Sequence, residues 1–424
     1  MIRILESADK EAIFARDARI ADVSGAVAEI ISQVRKRGDE ALRDFTERFD
    51  GVRPENLEVD RREWDEGAEA ADPDLKRIIE KAAANIRAFH SKQVKNGFML
   101  NDRNGVFLGQ KVIPVDVAAI YVPGGTAAYP STVLMDCIPA KLAGCPQVIM
   151  ATPPGADGKL APAILFAART AGVDRIFKMG GAQAIAALAY GTDSVPKADK
   201  IVGPGNAYVA EAKRQVFGDV SIDMIAGPSE ILIVSDAKSD PKVLAADLLS
   251  QAEHDRMASA VLITDSRELA RRVSDELEKQ IPLLERRDIA RESIDKNGKI
   301  VIVDSVEQAV ELSNELAPEH LELCVDDPFS LIDRVRHAGS VFMGRNCPEA
   351  LGDYMAGPNH TLPTGGRARF SSPLSVDDFT KTMQISYYSR DALKEIATDV
   401  KGFAEAEGLT AHARSAVIRF EGDK

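Results

Sequence analysis

Short apolar runs rich in β-branched residues alternate with Gly/Pro turns and alanine-rich helical stretches from about residue 110 onward. One series contains VAAIYVPGG, QVIMATPPG, RIFKMGGAQAIAALA and KIVGPGNAYVAEAKRQV; a second contains EILIVSD, SAVLITD, KIVIVDS, LELCVDD and GSVFMG. Strands that alternate with helices of this length are typical of βαβ units with mostly parallel sheets. The pattern therefore predicts an α/β fold with two α/β domains, divided near residues 226–228.

The regions on either side of this alternation differ from it. Up to about residue 97, apolar residues recur at helical spacing, as in Val23, Val27 and Val34, and Asp72-Pro73 is typical of a helix start. After residue 345 the chain is rich in Gly, Pro, Ser and Thr, and its segment 347–373 predicts a long loop, which is usually functional or disordered. A short helical tail is expected from about 375 to 413.

Composition excludes several classes of protein. The 424 residues include 53 Lys and Arg against 66 Asp and Glu, a net charge of −13, which argues against binding to nucleic acid or anionic lipid. The four cysteines have no CxxC spacing, so neither a structural zinc site nor a disulfide scaffold is indicated. We find no signal peptide and no run of 18 apolar residues, and therefore expect a cytoplasmic protein without a membrane partner.

Histidine is scarce, with only six in the chain, so each can be weighed separately. His90 and His337 are most simply surface residues. His254 follows Gln251 by three positions in a predicted helix, and residues three apart share a helix face. Both side chains could therefore reach one metal ion, although QxxH also fits an ordinary pair on a helix surface.

The phrase LAPEHLEL places Glu319 and His320 at a junction between a helix and a strand. Ligands in α/β proteins usually bind beside strand ends, and an adjacent acid and imidazole can move protons near neutral pH. A solvated turn is the alternative.

Four further polar residues are candidates: Asp353, His360, Glu407 and His412. Asp and His are ordinary zinc ligands, and a zinc site open to substrate needs only a few protein donors. Because these residues are far apart along the chain, they could equally be ordinary polar residues of surface loops.

Three glycine-containing turns connect predicted strands to helices: YVPGG at 121–125, MGGAQ at 179–183 and GPGNAY at 203–208. The last resembles a dinucleotide-binding turn, but Tyr208 stands where the usual third glycine would be. Three such turns at neighbouring strand ends could form a cofactor cleft. Alternatively, the glycines could serve only to form the turns.

Six segments together resemble the histidinol dehydrogenase family over nearly the whole chain. They are, in order, GPGNAYVAEAKRQVFG, GPSE, SQAEHD, LAPEHLEL, GDYMAGPNHTLPTGG and AEGLTAHARS. The resemblance implies oxidation of L-histidinol through L-histidinaldehyde to L-histidine, the last steps of histidine biosynthesis, with two NAD⁺ and one zinc per site. It also implies two incomplete Rossmann-like domains and a homodimer that exchanges its C-terminal segment.

The resemblance also assigns roles to individual residues. Glu319 and His320 would be the catalytic bases. The zinc ligands would be Gln251, His254, Asp353 and His412. The substrate would contact those four residues and Ser229, His320, His360 and Glu407. NAD⁺ would be held by Tyr121, Gln183 and Asn206.

The corresponding domain division has five parts. They are an N-terminal segment at 1–20, a first α/β domain at 21–120 and 229–370, a second α/β domain on the NAD side at 121–228, and a C-terminal helical segment at 371–424.

Three other functions are compatible with parts of this pattern. A related zinc- and NAD-dependent dehydrogenase of another small polar alcohol, such as a sulfonated diol, could share the base pair. A zinc hydrolase with Glu319 acting on a metal-bound water would leave the glycine turns unexplained. A non-catalytic nucleotide-binding protein would not need both His320 and Asp353.

Overall fold

The computed structural model describes residues 1–15, 22–124, 129–225 and 227–422. The chain forms two compact units: the first comprises Met1–Gln93 and Val115–Phe379, and the second comprises Val94–Pro114 and Thr380–Lys424. Within the described ranges, no helix combines the length and apolar character needed to span a membrane.

The first unit contains two fully parallel sheets with helices between their strands, which confirms the predicted α/β class. The six-stranded sheet has the order β1-β11-β10-β9-β12-β13. Its strands are β1 (Arg3–Glu6), β9 (Glu230–Ser235), β10 (Ser259–Thr264), β11 (Lys299–Ile302), β12 (His320–Cys324) and β13 (Ser340–Met343). The associated helices are α1 (Lys10–Phe14), α10 (Pro241–Ala252), α11 (Arg267–Gln280), α12 (Arg287–Asn297), α13 (Val306–Leu316) and α14 (Glu349–Tyr354).

The five-stranded sheet has the order β6-β5-β4-β7-β8. Its strands are β4 (Val117–Tyr121), β5 (Gln147–Thr152), β6 (Arg175–Lys178), β7 (Lys200–Val202) and β8 (Ser221–Ile222). The helices that follow its strands are α6 (Pro130–Ala143), α7 (Pro162–Ala171), α8 (Gly181–Tyr190) and α9 (Ala207–Val216). The chain adds β5 and β6 on one side of β4 and then returns to add β7 on the other. The crevice outside the carboxyl ends of β4 and β7 is thus a topological switch point, where open α/β sheets bind ligands.

Four N-terminal helices pack against the helices of this five-stranded sheet: α2 (Ser24–Arg37) and α3 (Asp39–Asp50) contact α8, and α4 (Arg61–Glu69) and α5 (Pro73–His90) contact α7. The predicted start of α5 is confirmed, because the Asp72 side chain accepts a hydrogen bond from Leu75 N and Pro73 occupies the first turn.

This packing differs from the expected domain division, which joined residues 21–120 to 229–370. The buried face of α5 contacts the hydrophobic cluster around β4, the central strand of the five-stranded sheet. Helical periodicity identifies which face of a helix is buried, but it does not specify which sheet covers that face. The expected boundary at residue 226 falls outside the described residues.

The second unit contains an antiparallel sheet of β2 (Phe98–Leu100), β3 (Val106–Pro114) and β14 (Thr380–Tyr388), followed by α15 (Arg390–Ala406) and α16 (Thr410–Val417). The segment 371–424 was expected to be helical, but its residues TKTMQISYY form the strand β14, and its helices α15 and α16 begin only after that strand. This run is rich in Thr, Ile and Tyr, which favour strands, but it contains no continuous apolar stretch that predicts one. It pairs along its full length with β3, from Thr380 opposite Pro114 to Tyr388 opposite Val106.

Gly203 lies immediately after β7, at the switch point of the five-stranded sheet. Its φ is +123°, and a Cβ at this position would lie 2.0 Å from the Tyr121 carbonyl oxygen. The close approach of β7 to the end of β4 therefore requires glycine on steric as well as conformational grounds.

We expect Gly203→Ala to lower the free energy of unfolding by about 4 kcal/mol or more, because a backbone clash adds to an unfavourable φ. Gly218 is the matched control, since its φ is +108° and no atom lies within 4 Å of an added Cβ. Gly218→Ala should cost only about 1–3 kcal/mol. Urea unfolding of both variants tests this prediction, and equal losses would contradict it.

Candidate active site

The Glu319–His320 pair is held by the first residue of the neighbouring strand. The Glu230 backbone N–H donates to Glu319 Oε2 at 2.8 Å, and His320 Nδ1 lies 2.9 Å from the Glu230 carbonyl oxygen. Because a carbonyl oxygen can only accept, this contact requires the proton on Nδ1. The neutral imidazole therefore keeps Nε2 as its basic nitrogen.

The pair lies at the amino ends of β9 and β12, where Glu319 immediately precedes the first residue of β12. Both side chains are buried, so a solvated turn is excluded. The pair lies beside a strand end, as expected. However, it lies at the amino edge of the sheet, whereas ligands of α/β sheets usually bind at the carboxyl edge. Ser229, half-buried, immediately precedes β9 at the same edge.

Sequence reasoning missed Glu349, a buried carboxylate beside the pair. Its Oε2 accepts a hydrogen bond from Ser250 Oγ at 3.0 Å, whereas Oε1 is buried without a hydrogen-bond partner. Oε1 lies 3.7 Å from His320 Nε2. Glu349 and Asp353 are four residues apart in α14, within the expected long loop, and this i,i+4 acidic spacing is the signal that could have identified them.

The donor atoms near His320 suit a divalent cation. One ligand atom from each of His320, Glu349 and Asp353 lies within 4.8 Å of the others. Gln251, in the last turn of α10, is buried with neither amide atom hydrogen-bonded. Uncompensated buried polar atoms are costly, and a bound cation would satisfy the amide oxygen of Gln251.

His254 lies two residues beyond the end of α10, not within the predicted helix, and its side chain is exposed. Its backbone N–H still bonds to the Gln251 carbonyl oxygen at 3.1 Å, so the chain remains in a tight turn there. The predicted shared helix face is therefore replaced by a turn directly after the helix.

Burial shifts the acid–base properties of this cluster. It raises the pKa of Glu319 well above its usual range, and together with the neighbouring Glu349 it raises the pKa of Asp353 to about 8. Burial also lowers the pKa of His320. A buried imidazole that stays neutral can accept a proton, and a carboxylate with a raised pKa is a stronger base once ionised.

His360 adjoins the same cluster. Its Nδ1 lies 3.2 Å from the Asp353 carbonyl oxygen, and burial lowers its pKa to about 4. The loop that carries it is fixed to α6, because Asn359 Nδ2 donates to the Met135 carbonyl oxygen at 2.6 Å and Thr361 Oγ1 donates to Asp136 Oδ1 at 2.9 Å. Since α6 follows β4, this loop connects the acid–imidazole cluster to the five-stranded sheet.

The described parts of the three glycine turns lie at the carboxyl edge of that sheet. Gly181 N donates to Tyr121 Oη at 3.0 Å, which joins the turn after β6 to the end of β4. Gln183 is buried in the first turn of α8. Asn206 is exposed at the start of α9, where its Oδ1 accepts from the backbone N–H groups of residues 208 and 209. Position 125 of the first turn lies outside the described residues.

Four histidine or acidic residues considered in the sequence remain. Glu407 follows α15 and His412 lies in α16, both exposed on the second unit. His90 is fully buried, contrary to expectation, with Nδ1 2.7 Å from Gln93 Oε1. His337 is half-buried.

Comparison with known proteins gives one consistent family. The histidinol dehydrogenase family model matches residues 15–420. The histidinol dehydrogenase of Syntrophotalea carbinolica is 54% identical over 401 residues, covering 94% of this chain and 93% of the relative. That of Geobacillus kaustophilus is 52% identical over 396 residues, covering 93% of each chain.

A solved structure agrees with these matches. The crystal structure of histidinol dehydrogenase from Elizabethkingia anophelis aligns with a TM-score of 0.94 and 36% identity, covering 99% of this chain and 98% of that one. The sequence resemblance is thereby confirmed, and the chain belongs to the histidinol dehydrogenase family of oxidoreductases.

Proposed function

We propose that this enzyme carries out the four-electron, NAD-linked oxidation of L-histidinol through L-histidinaldehyde to L-histidine. The main supporting observation is the orientation of His320, whose Nδ1 bonds to the Glu230 carbonyl oxygen while Nε2 faces the Glu349 and Asp353 carboxylates. This geometry provides a neutral base beside a group of donors suited to a cation.

The proposed zinc ligands are Gln251, His254, Asp353 and His412. The unpartnered amide of Gln251 and the buried acid beside Asp353 support a cation at this position. Zinc has no redox chemistry of its own. When bound, it would orient the substrate by holding the imidazole and amino groups of histidinol. Ser229, His360 and Glu407 would complete substrate recognition.

His320 would act in the first oxidation. Its Nε2 would accept the hydroxyl proton of the alcohol as the C–O double bond forms and the carbon gives up hydride, for which bound NAD⁺ would be the acceptor. The lowered pKa of His320 supports this role, because it keeps the imidazole neutral until it receives that proton.

Glu319 would act in the second oxidation. It deprotonates the water that adds to the aldehyde carbon, and the resulting hydrate loses a second hydride and a proton to give the carboxylic acid. One general base typically contributes about 10²–10⁴-fold, so positioning must supply much of the remaining acceleration. Retaining the aldehyde between the two steps would protect it from solvent.

NAD⁺ would bind in the switch-point crevice of the five-stranded sheet, contacting Tyr121, Gln183 and Asn206, and would supply the hydride acceptor for each step. The position of these turns at the carboxyl edge of a parallel sheet supports this assignment. We further propose a homodimer in which the exchanged C-terminal segment provides Glu407 and His412.

Counting NADH while the metal content is measured tests the proposed function. Complete conversion of limiting L-histidinol should yield about two NADH per substrate, with about one zinc per chain. Other amino alcohols and sulfonated diols are the comparison substrates. Absence of NADH from histidinol, or faster turnover of a sulfonated diol, would reject the assignment.

We expect Glu319→Gln to slow aldehyde oxidation by about 10²–10³-fold and alcohol oxidation by less than about tenfold. Glutamine retains an oxygen that can accept the Glu230 N–H but cannot deprotonate water. Single-turnover kinetics with histidinol and with histidinaldehyde measure the two steps separately. Equal losses in both would contradict the division of roles between Glu319 and His320.

We expect His254→Asn to reduce zinc retained after dialysis by at least about tenfold, since one ligand is lost. The affinity for NAD⁺ should stay within about twofold of the original. His337→Asn, which changes a half-buried histidine outside the cluster, is the control and should retain its zinc. Unchanged metal content in His254→Asn would remove His254 from the site.

A further inference from the structure

A buried ion pair that the proposed mechanism does not use lies behind the turn after β7. Lys213 on α9 and Asp223, which follows β8, form this pair, and both side chains are almost completely buried. Lys213 is the one charged residue among the fully buried residues of α9. Burying two opposite charges carries a desolvation cost that an apolar pair of similar volume would avoid.

The pair holds both backbone groups of Gly203. The Gly203 N–H donates to Asp223 Oδ2 at 2.8 Å, and the Gly203 carbonyl oxygen accepts from Lys213 Nζ at 2.9 Å. The peptide planes on both sides of Gly203 are therefore fixed by side chains. Apolar residues of the same volume could fill this space, but they could not make these two hydrogen bonds.

This anchoring determines the path of the chain from β7 to α9. Gly203 has a φ of +123° and lies against the Tyr121 carbonyl oxygen, and Pro204, which has no N–H, follows it. Asn206 then begins α9 with its Oδ1 occupied by the helix N–H groups, which leaves its side-chain NH₂ directed away from those bonds. The orientation of this turn thus depends on Gly203, three residues earlier.

We propose that Lys213 and Asp223 are positioning residues for the dinucleotide. By fixing the Gly203 peptides, they hold residues 203–206 in the orientation that presents the turn to NAD⁺. This inference rests on the proposed NAD-linked function, and it assigns the ion pair a role in cofactor affinity in addition to stability.

The test uses the full-length, zinc-loaded enzyme and the double variant Lys213→Met/Asp223→Leu. Replacing both partners avoids leaving one buried charge uncompensated, so the variant is expected to fold while Gly203 loses both anchors. Lys299→Met is the matched control, because Lys299 is equally buried and donates to the Ile13 carbonyl oxygen at 2.8 Å on the other sheet. Circular dichroism and thermal unfolding establish folding for each protein.

NAD⁺ titration without histidinol should show a dissociation constant raised at least tenfold in the double variant and within twofold of the original in Lys299→Met. The KM for NAD⁺ should rise in parallel, while zinc content and the KM for histidinol stay within twofold. A folded double variant with NAD⁺ affinity within threefold of the original would overturn the proposal, as would equal loss of affinity in Lys299→Met. Failure of the unmodified enzyme to bind or reduce NAD⁺ would instead reject the proposed function.

Discussion

The backbone of Glu230 fixes the candidate active site. Its N–H and C=O groups bind Glu319 and His320 respectively, so one strand residue sets the position of both side chains. These hydrogen bonds form because β12 is the parallel neighbour of β9 and begins in register with it. The chemistry of the pair is therefore coupled to the pairing of two central strands, and a register shift of one residue would separate them.

The accumulation of buried acids around this pair is the second constraint. Burial, together with the neighbouring acids Asp353 and Glu349, raises the pKa of Glu319, and burial together with Glu349 raises the pKa of Asp353. Such a cluster reduces the stability of a protein at neutral pH unless a cation compensates it. A bound cation would explain why three largely buried carboxyl groups are tolerated close together.

The sequence predicted the α/β class correctly, but it predicted less well how the helices and sheets assemble. LAPEHLEL placed Glu319 and His320 beside a strand end, because a proline, an acid, an imidazole and an apolar strand occur in immediate succession, but it did not predict their burial. Glu349 was missed because it lies in a segment whose Gly, Pro and Ser content predicts a loop, although a short helix forms there. The packing of residues 24–90 against the helices of the five-stranded sheet could not be predicted, since amphipathic periodicity carries no information about the partner.

The two buried hydrogen bonds from Asn359 and Thr361 to α6 affect how this enzyme could be altered. A redesign of the loop for a bulkier reactant must either keep both anchors or change α6 along with it, because each lost bond leaves a desolvated polar group. A shorter or longer loop would shift His360 relative to the cluster even if every catalytic residue were retained. The position of His360 is therefore constrained by a helix of the five-stranded sheet as well as by its own loop.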